Sequence, residues 1–399
     1  MCKRRPLLVL LVAALLITQS GCWSSKEIED LSLYTGLALD KGELTSTEQA
    51  LEDEGGSYFK NNKITATIQI VPKKSVGGSS STSFDSEKTP SYTNVSETGD
   101  SLLEIFRQYS IRLDRPIIGH HLKVIVISSQ LLEQQRIQQL MDFALRDNDI
   151  RPSLFVFLNE GRAANAFVMK DKDEIPSFHI RDMLRNRFRT SKIMKAVKLS
   201  TLDALMHSKQ SFVLQNIVEA NGELEFSGGG IIKGNTGKWI GSLSQEDLSS
   251  IAWINGEVKG GTIKTYNQHH ETITYEIKSA KSKITSKVSE DNKVSFHVSI
   301  ESEGRLIENW DPEQRSTEVP AFKEREQFFK KRLTGMLEHL LQKMQSTYKV
   351  DVAGFGDRLR IEHPKVWKNY KDHWDDVFSH TPVTFDIKLS ITDYGAFNK

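Results

Sequence analysis

The alternation of apolar and polar positions changes character several times along these 399 residues. Lys3, Arg4 and Arg5 precede an almost unbroken apolar run from Leu7 to Ile17. That run is too short to cross about 30 Å of hydrocarbon as a helix, which takes about 20 residues. A basic start followed by a short apolar run is the pattern of an export signal. Beyond the polar stretch Trp23–Asp30, Leu31–Asp40 reads as a first strand and Gly42–Gly56, with its turn and acidic residues, as a hairpin loop. Ile64, Ala66, Ile68 and Ile70 alternate with polar residues, the period of a half-buried strand. Ser75–Ser91 is rich in Ser and Gly and reads as a loop unable to form a core.

Helical spacing follows. Leu102, Leu103, Phe106 and Tyr109 place one apolar face on a helix over Ser96–Leu113. Leu122–Ile127 reads as a strand and Leu131–Leu145 as a helix burying Leu132, Ile137, Leu140, Met141 and Ala144. Leu154–Leu158 is apolar on both faces, as a central strand is. Thr201–His207 and Gln245–Trp253 read as short helices, with a Gly-rich hairpin, Gly228–Trp239, between them. From Thr272 onward the period is 2, at Ile273, Tyr275 and Ile277 and again at Val294, Phe296, Val298 and Ile300. A long helix at about 321–348 carries the stripe Phe322, Phe329, Leu333, Met336, Leu337, Leu340 and Met344, and Pro320 suits its first turn. Val383, Phe385, Ile387, Leu389 and Ile391 alternate in a closing strand.

These elements predict an α+β (mixed α/β) fold of three domains behind a signal peptide at 1–21. A mixed α/β domain covers 22–198, a small middle domain 199–262, and an α+β domain 263–399, its antiparallel sheet packed on the long helix.

Cysteine usage sharpens the N-terminal reading. Cys22 follows Ser20 and Gly21, small residues that fit a peptidase cleft, and it is the only cysteine after the apolar run. Such a site predicts cleavage after Gly21 and modification of Cys22 by an S-diacylglycerol and an N-acyl chain such as palmitate. Gln19 stands where an aliphatic residue is usual, which bears on processing efficiency. Several acyl chains on one residue give a stable membrane anchor. An ordinary signal peptide cleaved beside a chance cysteine is the alternative. Residues 1–21 hold three basic residues and no acid, so the 53 basic residues fall to 50 against 52 acids, a formal −2. A near-neutral surface argues against a nucleic-acid binder.

Candidate chemistry is sparse. His120-His121 and His269-His270 are adjacent pairs, whose side chains would diverge in a strand, and they read as strand-edge or loop histidines. No metal-ligand spacing is present, and no cofactor is expected. Gly228–Lys238 lacks the spacing of a phosphate loop and reads as a turn. No nucleophile elbow appears, so no catalytic residue is assigned. The run Arg181–Lys198 holds Arg181, Arg185, Arg187, Arg189, Lys192, Lys195 and Lys198 against the single acid Asp182. Read as a basic helix, it would lie on anionic headgroups or on an acidic partner, with Arg181, Arg185, Arg187 and Arg189 as the contact residues. A solvated helix face or linker is the plainer reading.

Several stretches resemble one family. Cys22-Trp23 with Glu27–Leu31 and Thr35-Gly36 resembles the mature start of the C subunits of bacterial spore germinant receptors. The resemblance continues at His120–Ser128, Arg146-Asp147, Ile150–Pro152, Gly229–Gly241, Asp351–Gly356, Trp367, Trp374 and Val383–Gly395, in order over nearly the whole chain. It implies a three-domain α/β, non-enzymatic lipoprotein with Cys22 as its lipidated residue. The place implied is the outer surface of the cytoplasmic membrane, specifically the spore inner membrane. The partners implied are two integral membrane subunits; direct contact with a nutrient germinant stays open. Two other classes compete: a solute-binding lipoprotein of a transporter, expected as two βαβ lobes around a hinge, and a lipid-anchored envelope hydrolase.

Overall fold

The structure, a computed structural model, describes residues 31–55, 62–72, 91–171, 173–311 and 319–393. The apolar run, Cys22, the polar stretch to Asp30 and the Ser-rich loop up to Pro90 lie outside them.

The predicted mixed α/β class is the fold observed, built on two sheets. The large sheet is centred on three parallel strands, β1 (Ser32–Lys41), β5 (Val124–Ser128) and β6 (Phe155–Asn159). Every residue of β5 is buried, because helical segments cover both faces. On one face lie α2 (Leu102–Arg112), α3 (Ser129–Gln134), α4 (Ile137–Arg146) and α6 (Leu199–Ser208). On the other lie the short 3-10 helix Ala163–Phe167 and α5 (Pro176–Met183). Strands β2 (Ile64–Val71) and β3 (Thr93–Gly99) extend the sheet on the β1 side. Two-residue strands β4 (Ile117–Ile118) and β7 (Val197–Lys198) pair with β1 and β6.

On its far side the sheet continues through β8 (Phe212–Ala220), β9 (Glu223–Lys233) and β10 (Lys238–Leu243). Successive residues here serve different cores. Phe212, Leu214 and Ile232 face the core of the large sheet. Val213, Ile231 and Leu243 join that of the second sheet, together with α7 (Gln245–Ile254). Residues 199–262, read from sequence as a middle unit, are thus divided between the two cores. Gly229 and Gly230 allow this close packing. A Cβ on Gly229 would lie 2.6 Å from Val213 Cγ1, and one on Gly230 would lie 2.2 Å from Leu158 Cδ2. The glycine triplet therefore belongs to a strand, not a turn; the turn lies at 234–237.

The second sheet has the order β11 (Thr262–Tyr266), β12 (Thr272–Val288), β13 (Val294–Asn309), β14 (Val383–Asp393). The long helix α8 (Val319–Gln342) crosses it and ends in a π turn, Lys343–Thr347. Phe329, Leu333, Leu337, Leu340 and Met344 are fully buried as the stripe predicts; Phe322 is half-buried. Three short helices, α9 (Phe355–Glu362), α10 (Pro364–Tyr370) and α11 (Trp374–Ser379), lead back to the sheet.

Several details differ from the sequence reading. β14 joins β13 in parallel, so the sheet is mixed: α8 carries the chain back to the end where β13 starts, as a parallel crossover must. Within the supposed hairpin loop, α1 (Ser46–Gly55) is started by a capping box in which Glu48 accepts from Thr45 N at 2.8 Å and Thr45 Oγ1 from Glu48 N at 3.2 Å. The helix expected from Ser96 starts at Leu102, capped by Ser101. Residues before it form β3, joined to β2 by the side-chain bonds Thr65–Thr98 and Thr67–Ser96, both 2.8 Å. The helix expected at Leu131–Leu145 is two, parted at Gln135-Arg136, where Gln135 Nε2 donates to Asn62 O.

An ion pair between a buried carboxylate and a partly exposed lysine ties α7 to the π turn after α8. Asp247 closes the capping box of α7 with Ser244 and accepts from Lys343 Nζ at 2.6 Å. Burial opposes ionisation of Asp247, but the bonds from Lys343 and Ser244 outweigh it and hold its carboxyl below the ordinary range. A depressed pKa means stability that is present above the unfolded value of about 3.9 and lost as pH falls through the folded one. Asp247→Ala should cost about 2–3 kcal/mol at neutral pH, and urea denaturation should show that difference from wild type shrinking as pH falls below the ordinary carboxylate range.

Candidate functional site

The sequence-predicted basic run is not one helix. α5 stops at Met183, a 3-10 turn follows at Leu184–Phe188, and residues 189–196 are irregular. The reason is local. Ser191 Oγ bonds Ser249 Oγ at 2.6 Å and Met194 N donates to Gln215 Oε1 at 2.7 Å, so the chain is pinned to α7 and β8 rather than coiled.

The four arginines accordingly have separate surroundings. Arg181 makes a bidentate pair with Asp182, 2.8 Å on each arm, and its guanidinium lies 5.2 Å from the centre of the Phe178 ring. The Arg181 hydrogen bond holds the Asp182 carboxyl below its ordinary range. Arg185 reaches the same carboxylate at 3.3 Å but is 77% exposed. Arg187 turns inward to Glu257 Oε2 at 2.6 Å, bracing the segment after α7. Arg189 is exposed and stacks on the exposed Phe188 at 4.9 Å. Lys192, Lys195 and Lys198 are exposed. Cys22 and Gly21 lie outside the described residues.

The histidines are loop residues, as the sequence suggests. His120 and His121 stand in a turn before β5, His120 facing Asp149 at 3.5 Å. His269 and His270 stand in the β11–β12 turn, where His269 Nδ1 lies 2.9 Å from the buried Asp311. Among the described residues no three His, Cys, Asp or Glu side chains gather as a metal site would need.

A polar junction not signalled by any catalytic motif joins the two sheets. Asp351 is buried just ahead of α9. Its Oδ1 accepts from Ala353 N and Phe355 N at 3.0 and 3.3 Å. Its Oδ2 accepts from Gly356 N and Trp374 Nε1 at 2.6 and 2.9 Å. Burial pushes this carboxyl up despite the four donors. Asp375 accepts from Asp351 N and from Ser211 Oγ, and Gln210 Nε2 donates to Asp357 at 3.2 Å. Both links run from the start of β8 to the helices of the second sheet. Beside them lies a cavity of about 240 Å³ lined by Met194, Phe212, Ile251, Asn255 and Trp374. The sequence signals were the acid a few residues ahead of a helix start, where orphan amides need acceptors, and the family-like stretch Asp351–Gly356 with Trp374. A larger open groove of about 860 Å³ runs along α2 and α4, past Leu103, Phe106, Arg107, Phe143 and Arg146.

This geometry offers packed surfaces and braced loops, with no convergent acid, base or nucleophile assigned among the described residues. Two family models match the chain: the spore germination protein N-terminal domain over residues 24–219, and the spore germination B3/GerAC-like C-terminal domain over 227–395. A relative from Bacillus subtilis (strain 168), spore germination protein YndF, is 39% identical over 98% of both chains. The chain belongs to the spore germination B3/GerAC-like family.

Other members from the same organism are similar end to end. Spore germination protein B3 is 29% identical over 96% of this chain and 97% of its own, and spore germination protein A3 is 29% identical over 98% and 97%. The crystal structure of the GerBC protein superposes with a TM-score of 0.60, covering 90% of this chain and 97% of that one at 24% identity, a likeness of fold. The two family domains meet between residues 219 and 227, at the β8–β9 turn, so the hairpin that serves both cores is also where they join. Membership assigns the chain a role in spore germination.

Asp351→Asn tests the junction. An amide in place of either oxygen turns a donor toward two N–H groups, leaving them without an acceptor, and should cost about 2–3 kcal/mol. Chemical denaturation followed by tryptophan emission measures it, and an unchanged midpoint would show that those donors find other partners.

Proposed function

We propose that this protein is the lipid-anchored, non-enzymatic subunit of a nutrient germinant receptor complex in the spore inner membrane. The observation that carries the reading is end-to-end family membership, joined to a sequence in which a short apolar run leads to Cys22, the only cysteine after it. On this reading Cys22 is cleaved free after Gly21, acylated, and holds the folded part at the outer face of the cytoplasmic membrane. Among the described residues no helix is long and apolar enough to cross a membrane, which accords with attachment through the lipid. Two integral membrane subunits are the partners, and the work of this chain is contact with them. A solute-binding role fits less well. That class needs two lobes free to close on a ligand, whereas here the two cores share the packed strands β8 and β9.

Deleting the gene should abolish germination in response to one class of nutrient while growth and sporulation stay normal. A normal response to every nutrient, in a strain without redundant receptors, would refute the role. In spores carrying Cys22→Ala, fractionation should find the protein released from the membrane, and labelled palmitate should no longer enter it.

A further inference from the structure

Parallel strands begin on one edge of their sheet, and here three of them bring separate cations together. Lys123 N donates to Thr35 O, and Phe155 N to Lys123 O, each at 2.9 Å. These bonds fix the entry to β5 between the entries to β1 and β6. Lys198 lies opposite Phe155 across the β6–β7 pair, and Ser200 N donates to Pro152 O, next to Arg151. From behind, Ser177 Oγ donates to Thr35 Oγ1 at 2.8 Å, which sets α5 so that Arg181, one turn further on, meets the same edge. Lys123, Arg151, Arg181, Arg185 and Lys198 thereby share one edge with His120 and His121.

The acids there are fewer. Asp182 serves both Arg181 and Arg185, and Asp149 faces His120. Lys123, Arg151 and Lys198 form no ion pair among the described residues. The like charges feel one another: burial, then Arg181 and Arg151, lower the Lys123 pKa, and burial, then Lys123 and Arg151, lower that of His121.

The chain also enters the fold at this edge, where Ser32 N donates to Pro116 O. Cys22 lies nine residues before Leu31. At about 3.4 Å per residue, that segment reaches at most roughly 30 Å. We infer that the edge where β1, β5 and β6 begin is the membrane-facing surface, and that Lys123, Arg151, Arg181, Arg185 and Lys198 rest on anionic phospholipid headgroups. This rests on the proposed anchor at Cys22, which holds the edge within reach of the bilayer. A negative leaflet then draws cations that come within a Debye length, about 8 Å at physiological salt. The contact fixes which way the folded part stands and leaves the opposite strand ends, at Lys41, Ser128 and Asn159, turned away from the lipid.

The connecting segment carries Glu27, Glu29 and Asp30 against Lys26, acids that compete for the same cations, so the test retains it. The chain from residue 23 onward, made without lipid, is mixed with vesicles of phosphatidylglycerol and phosphatidylcholine or of phosphatidylcholine alone, and binding is read by co-sedimentation. Because this chain has no anchor, the result is independent of whether Cys22 is acylated; palmitate labelling judges that separately.

Binding is expected only to the anionic vesicles, and it should weaken as salt is raised. The exposed triple variant Arg151→Glu, Arg185→Glu, Lys198→Glu should lose more than about 10-fold in partitioning, with its thermal midpoint retained as proof of folding. Lys281→Glu, Lys283→Glu and Lys287→Glu, exposed on the second sheet, should bind as wild type does. Four results overturn the inference: no binding to the anionic vesicles, equal binding to both vesicle types, an edge variant that binds like wild type, or a control variant that loses as much. If wild type ignores the anionic vesicles, the cations serve the connecting acids or an acidic protein partner instead. If the edge triple variant fails to fold, Arg151→Gln alone gives the same comparison at one charge.

Discussion

The alternation of side chains along β8 and β9 is the constraint on which the rest of the molecule depends. In a strand, neighbouring residues point to opposite faces, and here each face has its own core to fill. Phe212, Leu214 and Ile232 complete the packing of the large sheet, while Val213 and Ile231 meet α7 and the second sheet. A slip of one residue would exchange the two sets and spoil both cores at once. Gly229 and Gly230 deepen the dependence, because the atoms that would oppose their Cβ groups are core residues of both sheets. The two family domains meet at this hairpin, yet neither half has a complete core without it. With Ile217, Leu224 and Phe226 packing under α5 as well, the molecule is better regarded as cores sharing a wall than as beads on a string.

Polar links reinforce that wall, and their chemistry suits specificity more than strength. Asp247, Asp351 and Asp375 are carboxylates withdrawn from water, and burial works against the ionised form of each. Replacing such groups by apolar ones is often neutral or stabilising, whereas removing one partner strands the other. What they contribute is geometry. Asp351 collects three amides at the start of α9 and the Trp374 indole, and Asp375 carries the connection on to Ser211 at the mouth of β8. An apolar contact could slide here; a chain of directional bonds fixes one docking angle between the sheets.

The parts of the fold legible in the sequence were those where a single period governs a whole element. β5, β6, β12 and β13 bury the residues their apolar spacing marks, as α8 does except at Phe322, whereas β2, read as half-buried, also buries Thr65, Thr67 and Gln69. The parts that were not legible are governed by polar side chains. β3 has almost no apolar signal because Thr98, Ser96 and Asn94 bond across to Thr65, Thr67 and Gln69. α1 has no apolar stripe in its sequence to reveal it, with only Ala50 and Leu51 between Ser46 and Gly55, and is marked by the Thr45–Glu48 box. The break between α3 and α4 depends on Gln135 reaching Asn62 and on Ile137 N reaching Gly237 O, partners 73 and 100 positions away. The direction of β14 follows from how far α8 returns the chain, which hydrophobic period does not encode.

The same distinction governs what could be read of function. The run Arg181–Lys198 drew attention because its charges are adjacent in sequence, but folding divides them, leaving only Arg181, Arg185 and Lys198 at one edge. Arg187 is spent on Glu257, Arg181 is shared with Asp182, and Arg189 covers Phe188. Conversely, Lys123 and Arg151 carry no charge signal in their own segments, yet they come to lie beside Arg181, Arg185 and Lys198 from that run. Topology brings them together, since strands running parallel must all start on one side and the chain enters the first of them there. Charge density along a sequence measures little when elements turn away from one another; the sheet edge at which parallel strands begin is where cations accumulate without being neighbours. That edge also receives the segment leading from Cys22, so the order of the strands, rather than any motif, couples the proposed anchor to the surface it would bring against the lipid.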